Sequence, residues 1–179
     1  DPMTISPIYD TAPLQAEETI QAVFSLLEQL HIPYTRVEHS AANTMADCVA
    51  VGEVLGAPMC KNLLLCNRQK TEFYLLAMPG DKPFKTKDLS SQIGSSRLSF
   101  ADGDTMNTLL HTPPGSASVM GLLFDPQQKI RLLIDREVYE APWFVCHPCR
   151  NSGSLKIATA DLLQHFLPYV KHSPTVVDL

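Results

Sequence analysis

The chain has 179 residues, 45% hydrophobic and 18% charged, enough apolar material to build a core without disulfide or metal staples. Its 14 Lys+Arg against 19 Asp+Glu give a net charge of -5, which excludes the broad basic surface needed to coat DNA or RNA non-specifically but still allows one nucleic acid at a local patch. No stretch approaches the roughly 18 apolar residues of a membrane span, and the content of Leu, Ile, Val and Phe excludes disorder.

Asp1-Pro2 ahead of Met3 reads as a cloning remnant before the start methionine, leaving residues 4–179 as a single domain. Ala16–Leu30 places Ile20, Val23, Phe24, Leu27 and Leu30 at helical spacing, and Pro33 ends that helix. Tyr34–His39 alternates like a strand. Thr44 with Asp47 forms a capping-box pattern opening a helix towards Leu55, with Gly56 as its stop. Asn62–Cys66 and Glu72–Met78 flank a polar turn and predict a hairpin, followed by a turn at Pro79-Gly80-Asp81. Thr86–Ile93 predicts a helix closed by Gly94, Leu98–Phe100 a short strand, and Asp102 caps a helix through Leu110. Thr112–Ser116, with two prolines and a glycine, is a loop. Val119–Phe124 and Ile130–Asp135 predict a second hairpin around Asp125-Pro126. Phe144–Cys146 and Leu155–Ala158 read as strands, and Thr159 caps a last helix ending near Leu167, before Pro168. Hairpins among interleaved helices disfavour a purely parallel sheet. The expected fold is α/β, with a mixed, curled, barrel-like central sheet and helices outside.

The usual nucleophile and metal signatures are missing. There is no G-x-S-x-G elbow, P-loop, G-x-G-x-x-G or HExxH. Cys146 and Cys149 have CxxC spacing, but no second pair accompanies them and Cys60 and Cys66 lie in a strand, so ordinary free thiols are expected and no metal or cofactor. Five cysteines and no secretory signal point to a reducing compartment, the cytoplasm. Cys146 and His147 are adjacent, so in a strand they face opposite ways and do not make a nucleophile–base pair. Lys61, at the start of an apolar strand, is either a strand-end lysine reaching water or a cation at the mouth of a pocket, with Asn62 beside it offering donor and acceptor. His147, Asn151 and the Gly115 loop each admit a structural reading and a ligand-binding one.

Cys60-Lys61-Asn62-Leu63-Leu64-Leu65, Phe73–Lys82 and Leu98-Ser99-Phe100-Ala101 together resemble the YbaK/aminoacyl-tRNA deacylase superfamily. Pro114-Gly115-Ser116-Ala117-Ser118, Gly121-Leu122, His147-Pro148 with Asn151, and Val176-Val177-Asp178-Leu179 agree in order. The set is most similar to the free-standing alanyl-tRNA(Pro) deacylases of the ProX or PrdX type, related to the editing domain of prolyl-tRNA synthetase. The resemblance implies hydrolysis of an aminoacyl ester on mischarged tRNA(Pro), with prolyl-tRNA synthetase as a possible partner. It implies catalytic roles for Lys61 and His147, and substrate binding by Asn62, Gly115, Ser116, Ala117, Ser118 and Asn151. The family's GxxxP loop falls on Gly115–Val119, where Val119 replaces the proline. Lys82, Lys85, Lys87 and Arg97 are candidates for tRNA contact, with a solvated basic surface as the other reading. Two rivals stay open: removal of cysteine or other small amino acids, and a non-catalytic tRNA- or partner-binding module on the same fold.

Overall fold

A computed structural model describes residues 2–179. Of the segment expected to be a cloning remnant and start, Asp1 lies outside the described residues, whereas Met3 packs with Ile5 against a small core of Val37, Val51 and Val145. Helix α1 (Glu18–Gln29) buries the predicted stripe, including Val23, Phe24 and Leu27. Strand β1 (Thr35–Glu38) follows, then α2 (Met45–Leu55). The capping box of α2 is reciprocal: Asp47 N–H donates to Thr44 Oγ1 at 3.1 Å, and Thr44 N–H to the Asp47 carboxylate at 3.2 Å. Gly56 ends the helix in the left-handed region.

Strands β2 (Cys60–Cys66) and β3 (Phe73–Pro79) form the predicted antiparallel hairpin. Helix α3 (Thr86–Ile93), the two-residue β4 (Ser99–Phe100) and α4 (Gly103–Leu110), capped by Asp102, also follow the sequence. The remaining elements are β5 (Ile130–Asp135), α5 (Arg136–Glu140), β6 (Trp143–Cys146), β7 (Gly153–Ala158), α6 (Thr159–Asp161), α7 (Leu167–Tyr169) and β8 (Thr175–Val177). Five strands pair in the order β4-β2-β3-β5-β8 and three in the order β1-β7-β6. The strands thus divide into two sheets, touching at an isolated bridge between Met59 and Val145, instead of forming the barrel-like sheet expected. The five-stranded sheet is buried on both faces. Leu64, Leu75, Leu132 and Ile134 join the main core with α1, and Leu65, Leu76, Met78 and Leu133 meet α3 on the other side. No helix of the described residues is long and apolar enough to cross a membrane.

Two further expectations fail. Val119–Phe124 is a 3-10 helix, and β5 pairs in parallel with β3 and β8, so the second hairpin does not exist. A continuous apolar run lacks the alternation that separates strand from buried helix. Ser118 caps this helix by accepting from Met120 N–H, and Gly121 lies so close to α4 that a Cβ there would sit 2.8 Å from the Leu110 carbonyl oxygen. The last helix does not stop at Leu167, and Ala158, not Thr159, is its cap. A π-helical turn over Leu162–Phe166 precedes Pro168 and relieves the clash an α-helical register would impose between the ring and the preceding turn.

Candidate functional site

Strand β4 covers only one end of β2, pairing with Leu65 and Cys66, and Ala101 N–H donates to the Leu64 carbonyl. Between that point and the bridge from Met59 to Val145, this edge of β2 is left without a strand partner. Against it lies a cavity of about 310 Å³ whose wall includes Lys61, Asn62, Phe100, Gly115, Ala117 and His147. Lys61 and His147, 86 positions apart, meet here because β2, β6 and the 112–118 loop converge.

Alternation along β2 sends Lys61 and Asn62 to opposite faces of the strand. The Asn62 Oδ1 accepts from Val119 N–H at 2.8 Å, which leaves the amide Nδ2 as the free donor of that side chain. The proline of the related loop has no N–H, so Val119 supplies a tether that a proline there lacks. Lys61 Nζ donates to the main-chain carbonyl of Lys82 and keeps two further donors.

Lys82 is not a free cation. Its ammonium meets Asp135 at 2.9 Å, the Leu179 main-chain oxygen at 2.8 Å and Glu137 at 3.3 Å. These partners, Asp135 foremost, raise its pKa. Asp135 is 1% exposed, so the pair neutralises a buried carboxylate, and the ammonium of Lys82, expected to contact tRNA, is already engaged within the fold. Lys85, Lys87 and Arg97 are exposed, and none has a carboxylate within 4.0 Å among the described residues.

His147 follows β6. Its Nδ1 lies 2.8 Å from the Gly153 carbonyl, which only accepts, so Nδ1 carries the proton and Nε2 offers a lone pair. Ser154 Oγ lies 3.3 Å from the same Nδ1 and 2.8 Å from Nε2 of His39, whose own Nδ1 donates to the Ser40 carbonyl at 2.8 Å. Burial lowers the pKa of both imidazoles. The Gly153 carbonyl opposes this at His147, and the nearby His39 adds to it. At neutral pH His147 is therefore an acceptor.

The 112–118 loop turns at Gly115, whose φ of +84° is left-handed. The Ser116 hydroxyl accepts from Asn151 N–H at 2.9 Å. The Ser118 hydroxyl donates to the His147 carbonyl at 2.6 Å and accepts from Met120 N–H at 3.1 Å. Both serines are buried, so their hydroxyls tie the loop to the segment after β6 and are not offered to a ligand. Asn151 likewise braces the site, its amide donating to Asn43 at 3.3 Å. Of the predicted loop residues, Gly115 and Ala117 line the cavity.

The thiols are poor nucleophiles. Burial pushes Cys60 and Cys149 up to about 12, and Cys146 is raised as well. A second, larger cavity of about 620 Å³ shares Cys48, Met59 and Cys60 with the first. It opens past Met45, Val49 and Trp143, and Glu53, Asp81 and Glu137 stand on its rim.

Sequence reasoning missed His39, Ser154 and the Val119 N–H. A histidine closing one strand and a serine early in another give no linear signal of proximity, because β1 and β7 become neighbours only through sheet pairing.

Residues 39–165 match the model of the aminoacyl-tRNA editing domain. The chain is similar to the prolyl-tRNA editing protein ProX of Acetoanaerobium sticklandii, 29% identical over 142 residues that cover 79% of this chain and 87% of that protein. It is also similar to prolyl-tRNA synthetase associated domain-containing protein 1 of Danio rerio, 28% identical over 153 residues, 84% of this chain and 82% of that protein. A solved structure described as a candidate trans-editing enzyme for prolyl-tRNA synthetase matches with a TM-score of 0.65 at 14% identity, covering 92% of this chain and 98% of that one, a likeness of fold.

Proposed function

The chain belongs to the aminoacyl-tRNA editing domain family, and from that premise we propose that it is a trans-editing hydrolase that removes alanine from mischarged tRNA(Pro). The observation that carries this reading is the meeting of Lys61, Asn62, Gly115, Ala117 and His147 in one cavity beside thiols that burial keeps protonated. Residues 4–179 act as one editing domain, and the five free cysteines suit the reducing cytoplasm where charged tRNA and prolyl-tRNA synthetase meet.

Such a site needs no protein nucleophile. The free hydroxyl on the terminal ribose, next to the ester, orients the attacking water. Water oxygen bonds to the ester carbonyl carbon, the carbon–ribose oxygen bond breaks, and the proton lost by water ends on the ribose oxygen. The protein positions the ester and meets the charge that develops on the carbonyl oxygen. Lys61 supplies the cation, either to that oxygen or to the terminal phosphate, and the Asn62 Nδ2 donates alongside. His147 Nε2 accepts from the ribose hydroxyl or the water. Main-chain carbonyls of the Gly115–Ser118 loop hold the substrate ammonium. A second sieve acts where the amino acid side chain sits: a subsite there that fits alanine turns away the pyrrolidine ring of proline.

The test is single-turnover deacylation of Ala-tRNA(Pro), Cys-tRNA(Pro) and Pro-tRNA(Pro), with Lys61→Ala as control. Alanine release with proline spared and an inactive variant supports the proposal. Faster release of cysteine than alanine moves the assignment to a cysteine editor. No release from any of the three leaves a tRNA-binding module.

A further inference from the structure

Phe100 lies in a two-residue edge strand and leaves 61% of its surface in water, yet its ring is held in place: Phe84 meets it edge-on at a centroid distance of 6.0 Å. Phe100 pairs with Leu65, so its side chain stands on the same face of the sheet as Lys61, four residues along β2. At about 3.3 Å per residue the two Cα positions are about 13 Å apart along the strand, a gap that one nucleoside carrying an ester arm can bridge. Phe100 also lines the cavity itself.

Three exposed cations lie in the segments beside Phe100, interspersed with the carboxylates of Asp88, Asp102 and Asp104. Lys85 follows Phe84 directly, Lys87 lies in the first turn of α3 and Arg97 precedes β4, all exposed. The other exposed aromatic beside the site, Trp143, differs in both respects. Glu53, Asp81 and Glu137 border its cavity, and the Lys156 ammonium sits 4.8 Å from the centre of its ring.

We propose that Phe100 is the stacking platform for the unpaired terminal base of the aminoacyl-tRNA, with Lys85, Lys87 and Arg97 drawing in the phosphates of its single-stranded 3′ end. An aromatic face bordered by cations is the common design for binding single strands. The platform rests on the proposed deacylase function and deepens it: it fixes which way the substrate lies in the cavity, with its ester towards Lys61 and its base over β4.

Two measurements test it. In the first, the terminal adenosine of Ala-tRNA(Pro) is replaced by an abasic nucleotide, and wild type, Phe100→Ala and Phe100→Trp are compared. Phe100→Ala is expected to raise KM about tenfold on normal substrate with kcat little changed, Phe100→Trp to restore KM, and the abasic substrate to be indifferent to both variants. A Phe100→Ala defect of equal size on abasic and normal substrate overturns the platform while leaving the deacylase intact. The second measurement needs no turnover. In a Phe100→Trp, Trp143→Phe protein, uncharged tRNA ending in CCA is expected to quench the new tryptophan, whereas removal of the terminal adenosine abolishes the quench. Unchanged fluorescence, or quenching of Trp143 in the wild type instead, overturns the proposal even if no aminoacyl-tRNA is hydrolysed.

Discussion

The two flanks of the cleft each expose an aromatic ring but differ in the charged groups around it. On one side Phe100 is exposed beside Lys85, Lys87 and Arg97. On the other, Trp143 is exposed beside a cavity bordered by Glu53, Asp81 and Glu137. Apolar exposure alone therefore does not distinguish a nucleic-acid face from any other. The charges around it are the further variable, and three of the exposed cations that no carboxylate pairs, Lys85, Lys87 and Arg97, lie in the segments flanking Phe100. Lys82 shows the same lesson at a single residue. It lies close in sequence to Lys85, but Asp135 and Glu137 claim its ammonium, and only its main-chain carbonyl faces Lys61.

The largest effect is expected between the flanks. Lys61→Ala should lower single-turnover deacylation about 10²–10³-fold with the melting temperature nearly unchanged; a variant with more than half the wild-type rate would detach Lys61 from the chemistry. Lys82→Ala should act on stability instead. It leaves the buried Asp135 carboxylate without its cation and should cost about 3 kcal/mol in urea unfolding, the lower end of the usual range because the Lys82 side chain keeps a fifth of its surface in water. If Lys82→Ala instead weakened tRNA binding at full stability, the two flanks would not differ as described.

Val119→Pro probes the tether inside the cavity. Position 119 opens a 3-10 helix and Ser118 before it is extended, so proline fits the backbone, and the variant loses the N–H that holds Asn62 together with some packing of the fully buried Val119 side chain. A rate loss of about fivefold is expected from the hydrogen bond, and a smaller loss of stability, read in urea unfolding, from the core. Each of Lys85→Ala, Lys87→Ala and Arg97→Ala should weaken tRNA binding a few-fold and reduce the salt slope by about one, while Glu53→Gln on the other flank should leave both unchanged. The gentlest effect is the pH profile. With its pKa lowered by burial, His147 takes up a proton only below the ordinary value of 6.5, so its lone pair survives through neutrality and the acid limb of the rate falls below that pH. His147→Gln should flatten that limb; a midpoint above 6.5 in the wild type would place a different group in control.

Much of the candidate site is legible in the sequence in the sense that the ordered motifs place Lys61, Asn62, Gly115 and His147 on definite elements, and the structure brings these four to one cavity. Ser116, Ser118 and Asn151 share those motifs, yet their polar groups bond to one another's segments or to Asn43. Motif membership does not say whether a hydroxyl faces a ligand or its own loop, since that depends on a partner 29 to 35 residues away. The sequence gives Phe100 no distinct signal, because exposure of an aromatic residue on a short strand is invisible without its neighbours.

By itself the sequence determined the elements whose causes are local. Thr44 and Asp47 start α2, Gly56 and Gly94 end helices, the stripe of α1 selects its buried face, and the polar turn between β2 and β3 sets their register. Only the tertiary structure decided the parallel pairing of β5 with β3 and β8, the division of the strands into two sheets, and the helical state of Val119–Phe124. It also decided which lysine is free and which is neutralised. Caps and turns act through bonds spanning a few residues, so their signals lie side by side in the chain. Sheet order and ion pairing are settled by long-range contacts, and an apolar run or a lone lysine is compatible with several of them until the core closes.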